Sequence, residues 1–240
     1  MDKVTKLKEL INSSKNIVVF TGAGISCASG IPDFRSSNGL YNQKTSINIP
    51  PEQIISHSFF IRNTELFFDF YRTKMVYPNA LPNLAHIYFA ELEKTGKNVI
   101  VVTQNIDGLH QKAHSSKVLE LHGSVLRNYC MNCHKFYDIN AILKDGIPKC
   151  NCGGIIKPDV VLYEESLDDK IIVDSINAIK NADMLIVVGT SLTVYPAASF
   201  VRYYNNNKLV LINKDKTPYD CYADLVINDD IINVINKIRD

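Results

Sequence analysis

The chain has 240 residues, enough for one large domain with an insert. Its 26 Lys and Arg against 25 Asp and Glu argue against a strong binder of nucleic-acid phosphates. The first residues hold no apolar core of signal-peptide length, and no run approaches membrane-spanning length, so the expectation is a cytoplasmic protein without a membrane partner. Six cysteines then need an explanation other than disulfides.

Val4, Leu7, Leu10 and Ile11 recur at helical spacing and predict a short amphipathic helix. Ile17-Val18-Val19-Phe20 is apolar throughout, as a strand covered on both faces would be. It stops at Thr21-Gly22-Ala23-Gly24. A buried strand ending in glycines is a phosphate-site signal, because a missing Cβ lets a ligand approach the backbone amides. The strict dinucleotide fingerprint would place a third Gly at position 27, where this chain has Cys27. Cys27 reads as a small residue chosen for fit, with a thiolate nucleophile as the sharper alternative. Asp33, Phe34 and Arg35 then put a carboxylate, an aromatic face and a guanidinium beside the cradle. Residues 36–50 read as a mobile polar loop ending in a helix start at Pro51-Glu52.

Asn63 or Thr64 can cap a helix running to about Met75. Its Phe67, Phe68, Phe70 and Tyr71 read as a packing face, with an apolar ligand channel as the alternative. Pro82 opens another helix, with Leu84, Ile87, Tyr88 and Leu92 inward and Gly96 as its stop. A second buried strand, 98–103, runs into Gln104-Asn105-Ile106-Asp107, and a third short segment, 117–121, into His122-Gly123. After an insert at 124–158, a helix carrying Ile171, Ile172, Ile176 and Ile179 leads to the strand 184–188, which ends in Gly189-Thr190-Ser191. Pro196 starts a further helix; strand 209–212 ends in Asn213, and strand 225–227 precedes a helix from Ile231 to Ile238. Strands whose C-terminal ends all carry ligand-capable residues describe an α/β fold, a doubly wound Rossmann-like parallel sheet. His57, His86, His110 and His114 read as surface or packing residues, and Cys221 as a packing residue.

The insert holds Cys130-x-x-Cys133 and Cys150-x-Cys152. Two close thiolate pairs suit the closed tetrahedral shell of one structural Zn²⁺, and four cysteines leave no vacancy for His134. The insert lacks the clustered Lys and Arg of a nucleic-acid-binding ribbon.

Taken together, Gly22-Ala-Gly-Ile-Ser26, Gly30-Ile-Pro-Asp-Phe-Arg35, Thr103-Gln-Asn-Ile-Asp107, Leu121-His-Gly123, the paired cysteines, Gly189-Thr-Ser-Leu192 and Val210-Leu-Ile-Asn213 stand in the order seen in sirtuins. The chain resembles these NAD-dependent protein deacylases, most closely the bacterial ones, from about residue 10 to about residue 235. The resemblance implies a Rossmann-like NAD-binding domain (1–35, 78–123 and 159–240) and a small second domain built from two insertions. These are a cofactor loop with a helical module (36–77) and a zinc ribbon (124–158). An acyl-lysine peptide would enter the cleft between the two domains. Its acyl oxygen would attack the nicotinamide ribose, nicotinamide would leave, and O-acetyl-ADP-ribose and free lysine would be released. NAD is then a consumed co-substrate.

The resemblance also implies roles. Gly22, Ala23 and Gly24 would turn amides to the pyrophosphate, with Cys27 in the same loop. Phe34 would keep water off the reacting carbon, Arg35 would pair with phosphate, and Asp33 would hold the loop. Asn105, Ile106 and Asp107 would hold the carboxamide, and Gln104 the ribose hydroxyls. Gly189, Thr190, Ser191, Asn213 and Ile231 would contact the adenosine half. His122 would be the general base, since an imidazole accepts a hydroxyl proton at neutral pH.

Val161, Leu162, Tyr163 and Glu164 would present backbone to the peptide, with Val161 on the lysine stem. Many members have Phe-Gly-Glu where this chain has Tyr163-Glu164-Glu165, and the extra carboxylate could favour basic flanking residues. Members that prefer acidic acyl groups carry Tyr-x-x-Arg in the helical module. Here Tyr71 matches but the arginine position holds Lys74, which lacks the bidentate fork, so acetyl is expected over succinyl. A monomer is expected. Intact 104–107 and His122 speak against an ADP-ribosyl transferase or a non-enzymatic sensor.

Overall fold

The computed structural model describes residues 2–34, 36, 39–42 and 49–239. The chain runs through α1 (Lys3–Asn12), β1 (Asn16–Thr21), a 3-10 segment (Ala23–Ser29), α2 (Pro51–Ile54), α3 (His57–Arg62), α4 (Thr64–Lys74) and α5 (Leu84–Lys94). It continues through β2 (Asn98–Thr103), α6 (Leu109–Lys112), β3 (Val118–Glu120), β4 (Gly123–Cys130), β5 (Phe136–Tyr137) and β6 (Ile156–Val160). The last third holds α7 (Asp169–Lys180), β7 (Met184–Val188), a 3-10 segment (Ala197–Tyr203), β8 (Leu209–Ile212), β9 (Leu225–Ile227) and α8 (Ile231–Arg239).

Six strands form one parallel sheet in the order β3-β2-β1-β7-β8-β9. The direction of winding reverses at β1, which puts the glycine turn after β1 at the topological switch point, where such sheets open a crevice. The unbroken apolar runs follow from burial on both faces. In β1, Ile17 and Val19 join a core with α1, α5 and α8, while Val18 and Phe20 point into a second core with α7 and residues 197–204.

A second, three-stranded antiparallel sheet has the order β5-β4-β6. It shares a third core with α2, α3 and α4, drawn from residues 40–76 and 125–162. Phe60, Phe67 and Phe68 meet there edge to face with centroids 4.9–6.0 Å apart, and Phe67 stacks on Tyr71 at 5.6 Å. Such aromatic pairs add about 0.5–1.5 kcal/mol each beyond area burial. Arg72 ties α4 to the cysteine-bearing segment, donating to the carbonyls of Ile142 at 2.6 Å and of Gly146, with its guanidinium over the Phe68 ring.

Several local expectations change. Asn83, not Pro82, caps α5: its side chain accepts from Ala85 N–H (3.0 Å), and His86 Nδ1 accepts in return from Asn83 N–H (3.3 Å). Ile87 is exposed, because the α5 apolar face is centred on Ala85, Tyr88, Phe89 and Leu92. Asn63 makes no side-chain cap on α4, whereas Ser56 caps α3 through Phe59 N–H. The helix after Pro196 is 3-10. Cys221 is exposed, its thiol 4.0 Å from Pro218 O, and is no core residue. Much of the predicted mobile loop, 37–38 and 43–48, lies outside the described residues, as does Arg35.

Candidate active site

The glycine turn is shaped by the loop opposite. A Cβ on Gly22 would lie 2.6 Å from Thr190 Cβ, and one on Gly24 would lie 2.7 Å from Gly189 Cα. Gly189 itself has φ +60°, a left-handed conformation that favours glycine. Gly22 N–H donates to Val188 O (3.1 Å) and Gly24 N–H to Gly189 O (2.8 Å). Those two amides therefore point into the protein, a correction to their expected exposure to phosphate: the glycines are needed first so that the two strand-end loops can touch. Thr190 is buried and its Oγ1 accepts from Leu192 N–H. Ser191 lies at the surface with Thr193, Asn213 Nδ2 donates to Asp215 O, and Ile231 is buried in the core under the crevice.

Asp33 and Phe34 follow the glycine turn and its 3-10 segment. Asp33 Oδ1 accepts from Ser36 N–H (2.8 Å), and Phe34 meets Tyr41 edge on at 5.5 Å. Cys27 sits beneath them, its thiol 3.8 Å from Asp33 Oδ2. Burial first, and then the Asp33 charge, push that thiol up from its ordinary value. A protonated thiol is a poor nucleophile, which speaks for the packing reading of Cys27 over the thiolate one.

The segment after β2 is wired before any ligand arrives. Asn105 Nδ2 donates to Ser26 Oγ (3.1 Å), Ser26 Oγ donates to Asp107 Oδ2 (2.7 Å), and Leu109 N–H donates to Asp107 Oδ1 (2.9 Å). Burial raises the Asp107 carboxyl above its ordinary value, against those two donors. Ile106 is held by Val125 N–H on its carbonyl. Gln104 anchors its N–H on Thr21 O (2.9 Å), while its side-chain Nε2 is buried without a partner. An unpaired buried amide costs free energy, and a ribose hydroxyl is a fitting acceptor. Sequence reasoning missed Ser26, although it stands inside a motif already noted: its burial and its two partners, each about 80 positions away, were invisible there.

His122 follows β3. Its Nδ1 lies 2.8 Å from Gln104 O, so Nδ1 carries the proton and donates, and Nε2 keeps the lone pair of a base. Burial lowers its pKa despite that carbonyl, so the ring is neutral at pH 7. The His122 carbonyl accepts from Val161 N–H (3.0 Å), joining the base to the predicted peptide loop.

In that loop Leu162 N–H donates to Glu165 Oε2 (2.9 Å). Tyr163 bridges the strand-like segment 55–57: its N–H donates to Ile55 O, and its O accepts from His57 N–H. These groups are spent within the protein, so the edge open to a peptide is narrower than the sequence suggests. Tyr163 and Tyr41 join hydroxyl to hydroxyl at 2.9 Å. Glu164 has φ +75°, and its carboxylate accepts from Ser58 N–H (2.8 Å). Glu165 accepts from Lys157 (3.1 Å) and meets His57 Nδ1 (2.8 Å). Tyr71 lies fully buried on α4 with its hydroxyl unpaired, and Lys74 is half-buried one turn on.

Cys130, Cys133, Cys150 and Cys152 bring their sulfurs within 4.8 Å of one another, with three separations of 3.4–3.6 Å. Tetrahedral Zn–S bonds of about 2.3 Å put sulfurs about 3.8 Å apart, so the cluster fits one Zn²⁺. Gly153 takes φ +85° behind Cys152, and a Cβ on Gly154 would crowd Cys130 Sγ at 2.7 Å. The Tyr137 hydroxyl donates to Cys150 Sγ (3.0 Å).

Residues 22–196 match the Sir2 family model. An NAD-dependent protein deacetylase from Clostridium perfringens is 61% identical over 100% of this chain and 99% of the relative, and one from Clostridium tetani is 58% identical over 99% and 98%. A solved Sir2 complex with deacetylated p53 peptide and 3'-O-acetyl ADP ribose has a TM-score of 0.89 at 37% identity, covering 99% of this chain and 97% of that one. A Sir2 complex with p53 peptide and NAD+ has a TM-score of 0.85 at 38% identity, with the same coverage.

Proposed function

The chain belongs to the Sir2 family and is an NAD-dependent protein-lysine deacetylase, and from that premise we propose which of its residues carry each part of the reaction. NAD supplies an electrophilic ribose carbon and takes the acetyl group, giving nicotinamide, O-acetyl-ADP-ribose and free lysine. The bond-making chemistry is thus the co-substrate's, and the protein orients it, excludes water and moves one proton.

His122 is the general base. The single observation that carries this is the 2.8 Å contact of its Nδ1 with Gln104 O, which fixes the tautomer and leaves Nε2 to accept a ribose hydroxyl proton. Gln104 Nε2 binds the ribose, and Asn105 and Asp107, with Ile106, hold the carboxamide. The touching loops at Gly22, Ala23, Gly24, Gly189, Thr190 and Ser191 take the phosphates and adenosine ribose, with Asn213, while Ile231 supports them from the core. Phe34 covers the reacting carbon and keeps water from hydrolysing the activated sugar, Asp33 holds its loop, and the Arg35 charge is assigned to a phosphate.

The lysine stem lies along Val161 and Leu162, and the peptide runs past Tyr163, whose own backbone groups are already paired, to Glu164. Acetyl is preferred over succinyl: Arg72 is spent on the Ile142 and Gly146 carbonyls, and Lys74 gives no bidentate fork. We divide the chain into a Rossmann-like domain (1–35, 78–123, 159–240) and a small domain (36–77, 124–158), which the separate third core supports. The enzyme acts as a cytoplasmic monomer without nucleic-acid or membrane partners; its charge balance supports the lack of a nucleic-acid partner. Among the described residues no helix is long and apolar enough to cross a membrane.

Incubation with NAD and an acetyl-lysine peptide, read by mass spectrometry, tests the assignment. Nicotinamide, O-acetyl-ADP-ribose and free lysine should appear together with the wild type and vanish with His122→Ala at unchanged fold. Full activity in that variant would overturn the role of His122.

A further inference from the structure

Two histidines expected only to pack form part of a buried polar chain that the assignments above do not use. His86 on α5 and His110 on α6 are fully buried, with ring centroids 4.8 Å apart in an edge-to-face contact. His110 Nε2 is 3.1 Å from Thr21 Oγ1. The Thr21 hydroxyl donates to Thr103 Oγ1 (2.8 Å), which also accepts Asn105 N–H (3.0 Å). With the Thr21 proton committed to Thr103, His110 must donate through Nε2–H and keep its lone pair on Nδ1. His86 accepts Asn83 N–H on Nδ1, so its proton is also on Nε2. The two nitrogens left over, His86 Nε2 and His110 Nδ1, are both buried and unpaired, one a donor and one an acceptor.

We propose that His110, backed by His86, is a positioning residue of the nicotinamide pocket, acting on Asn105 through the Thr21 and Thr103 hydroxyls. The chain crosses the C-terminal ends of β1 and β2, the two strands beside the switch point. It also bears on Gln104, whose N–H is held by the Thr21 carbonyl. A purely apolar filling would satisfy packing between α5, α6 and the strand ends and avoid burying two imidazoles and two hydroxyls. The polar chain adds a single hydrogen-bond direction that ends on the Asn105 backbone, while Ser26 holds the Asn105 side chain from the other side. Burial pushes His86 down to about 4 and His110, with His86 beside it, down to about 3, so both rings stay neutral and the direction is fixed at working pH.

The inference rests on Asn105 as a nicotinamide contact, and the test separates the two. Thr21→Val keeps the shape and removes the hydroxyl. It should raise KM for NAD and the inhibition constant of nicotinamide by about three- to tenfold, with KM for acetyl-peptide changed less than about twofold. Thr21→Ser should rescue both constants. Asn105→Ala is the control: if it leaves nicotinamide exchange intact, the reading of Asn105 fails, whatever Thr21→Val does. If Asn105→Ala is impaired while folded Thr21→Val matches the wild type, or shifts NAD and peptide constants equally, the positioning chain is overturned. An independent readout is histidine ¹⁵N NMR of the intact wild-type enzyme, where both His86 and His110 should be Nε2–H tautomers. An Nδ1–H tautomer at His110 would refute the chain.

Discussion

The nicotinamide end and the peptide end of the crevice are built differently. Around Asn105 the donors and acceptors are buried, neutral or fully paired, and drawn together from β1, the glycine turn, β2 and α6. Around Tyr163 the contacts are half-exposed and charged, and they fasten one surface loop to α3 through Glu164, Glu165, His57 and Lys157. The first arrangement suits a ligand that never varies, because low-dielectric networks hold one geometry and are costly to disturb. The second suits peptides of many sequences, because solvent-screened contacts adjust at little cost.

Breaking the first region should therefore have the larger effects. His122→Ala should lower kcat by about 10²–10⁴-fold in single-turnover and steady-state assays. Ser26→Ala comes next. It strands Asn105 Nδ2 and Asp107 Oδ2 together, and each unsatisfied buried group costs about 1–3 kcal/mol. The KM for NAD should rise at least tenfold, with peptide KM little changed; a larger change for peptide than for NAD would erase the contrast between the two ends.

Acidity sharpens the same contrast. Because burial lowers the His122 pKa, the acid limb of kcat/KM should fall below the ordinary imidazole value of about 6.5. Protonation inactivates, so activity is kept above the limb and lost beneath it. Stability follows the same sign. His86 and His110 titrate near 6.5 in the unfolded chain but at about 4 and about 3 when folded, so the unfolded state binds more protons in between. Their contribution is whole above pH 6.5 and is lost progressively toward pH 4 and then pH 3. Denaturant midpoints measured across that range, with Thr21→Val alongside, should show the decline.

Removing zinc tests the peptide side through its foundation. Chelation should loosen the third core and raise peptide KM, since metal binding and folding are coupled in such ribbons. Far-UV and near-UV circular dichroism should show the parallel sheet surviving, its two cores being separate from the cysteine segment. Global unfolding at the same chelator concentration would mean that the two bodies fold as one.

The contrast also explains what was legible in the sequence. β1, β2, β7 and β8 read directly as apolar runs because both faces are covered, and the thiol pairs sit close in sequence. Ile87 and Cys221 were misplaced because periodicity and hydrophobicity do not say which side meets solvent. The pairings of Thr21 with Thr103 and His110, and of Ser26 with Asn105 and Asp107, join residues about 80 to 90 positions apart. Only the folded sheet brings them together, so no spacing could announce them. The glycines at 22 and 24 were found for a partial reason: loop-to-loop contact with 189–190 requires them even without a ligand.

Glu164 should give the smallest effect and is the sharpest test of the peptide end. Its φ of +75° favours glycine, so Glu164→Gly relieves backbone strain. The same change removes the carboxylate that accepts from Ser58 N–H, a partner whose hydrogen bonding holds Glu164 below its ordinary pKa. The two effects oppose each other, so Tm should move by no more than about 2–3 °C. Because the carboxylate is exposed as well as tied to Ser58, it keeps lone pairs for a basic residue beside the target lysine. On peptide arrays the wild type should therefore favour Lys or Arg next to acetyl-lysine by about two- to fivefold over Ala, a bias lost in Glu164→Gly and weakened by salt. An array with no such preference would assign Glu164 to the α3 contact alone, and the peptide end would then discriminate through shape without charge.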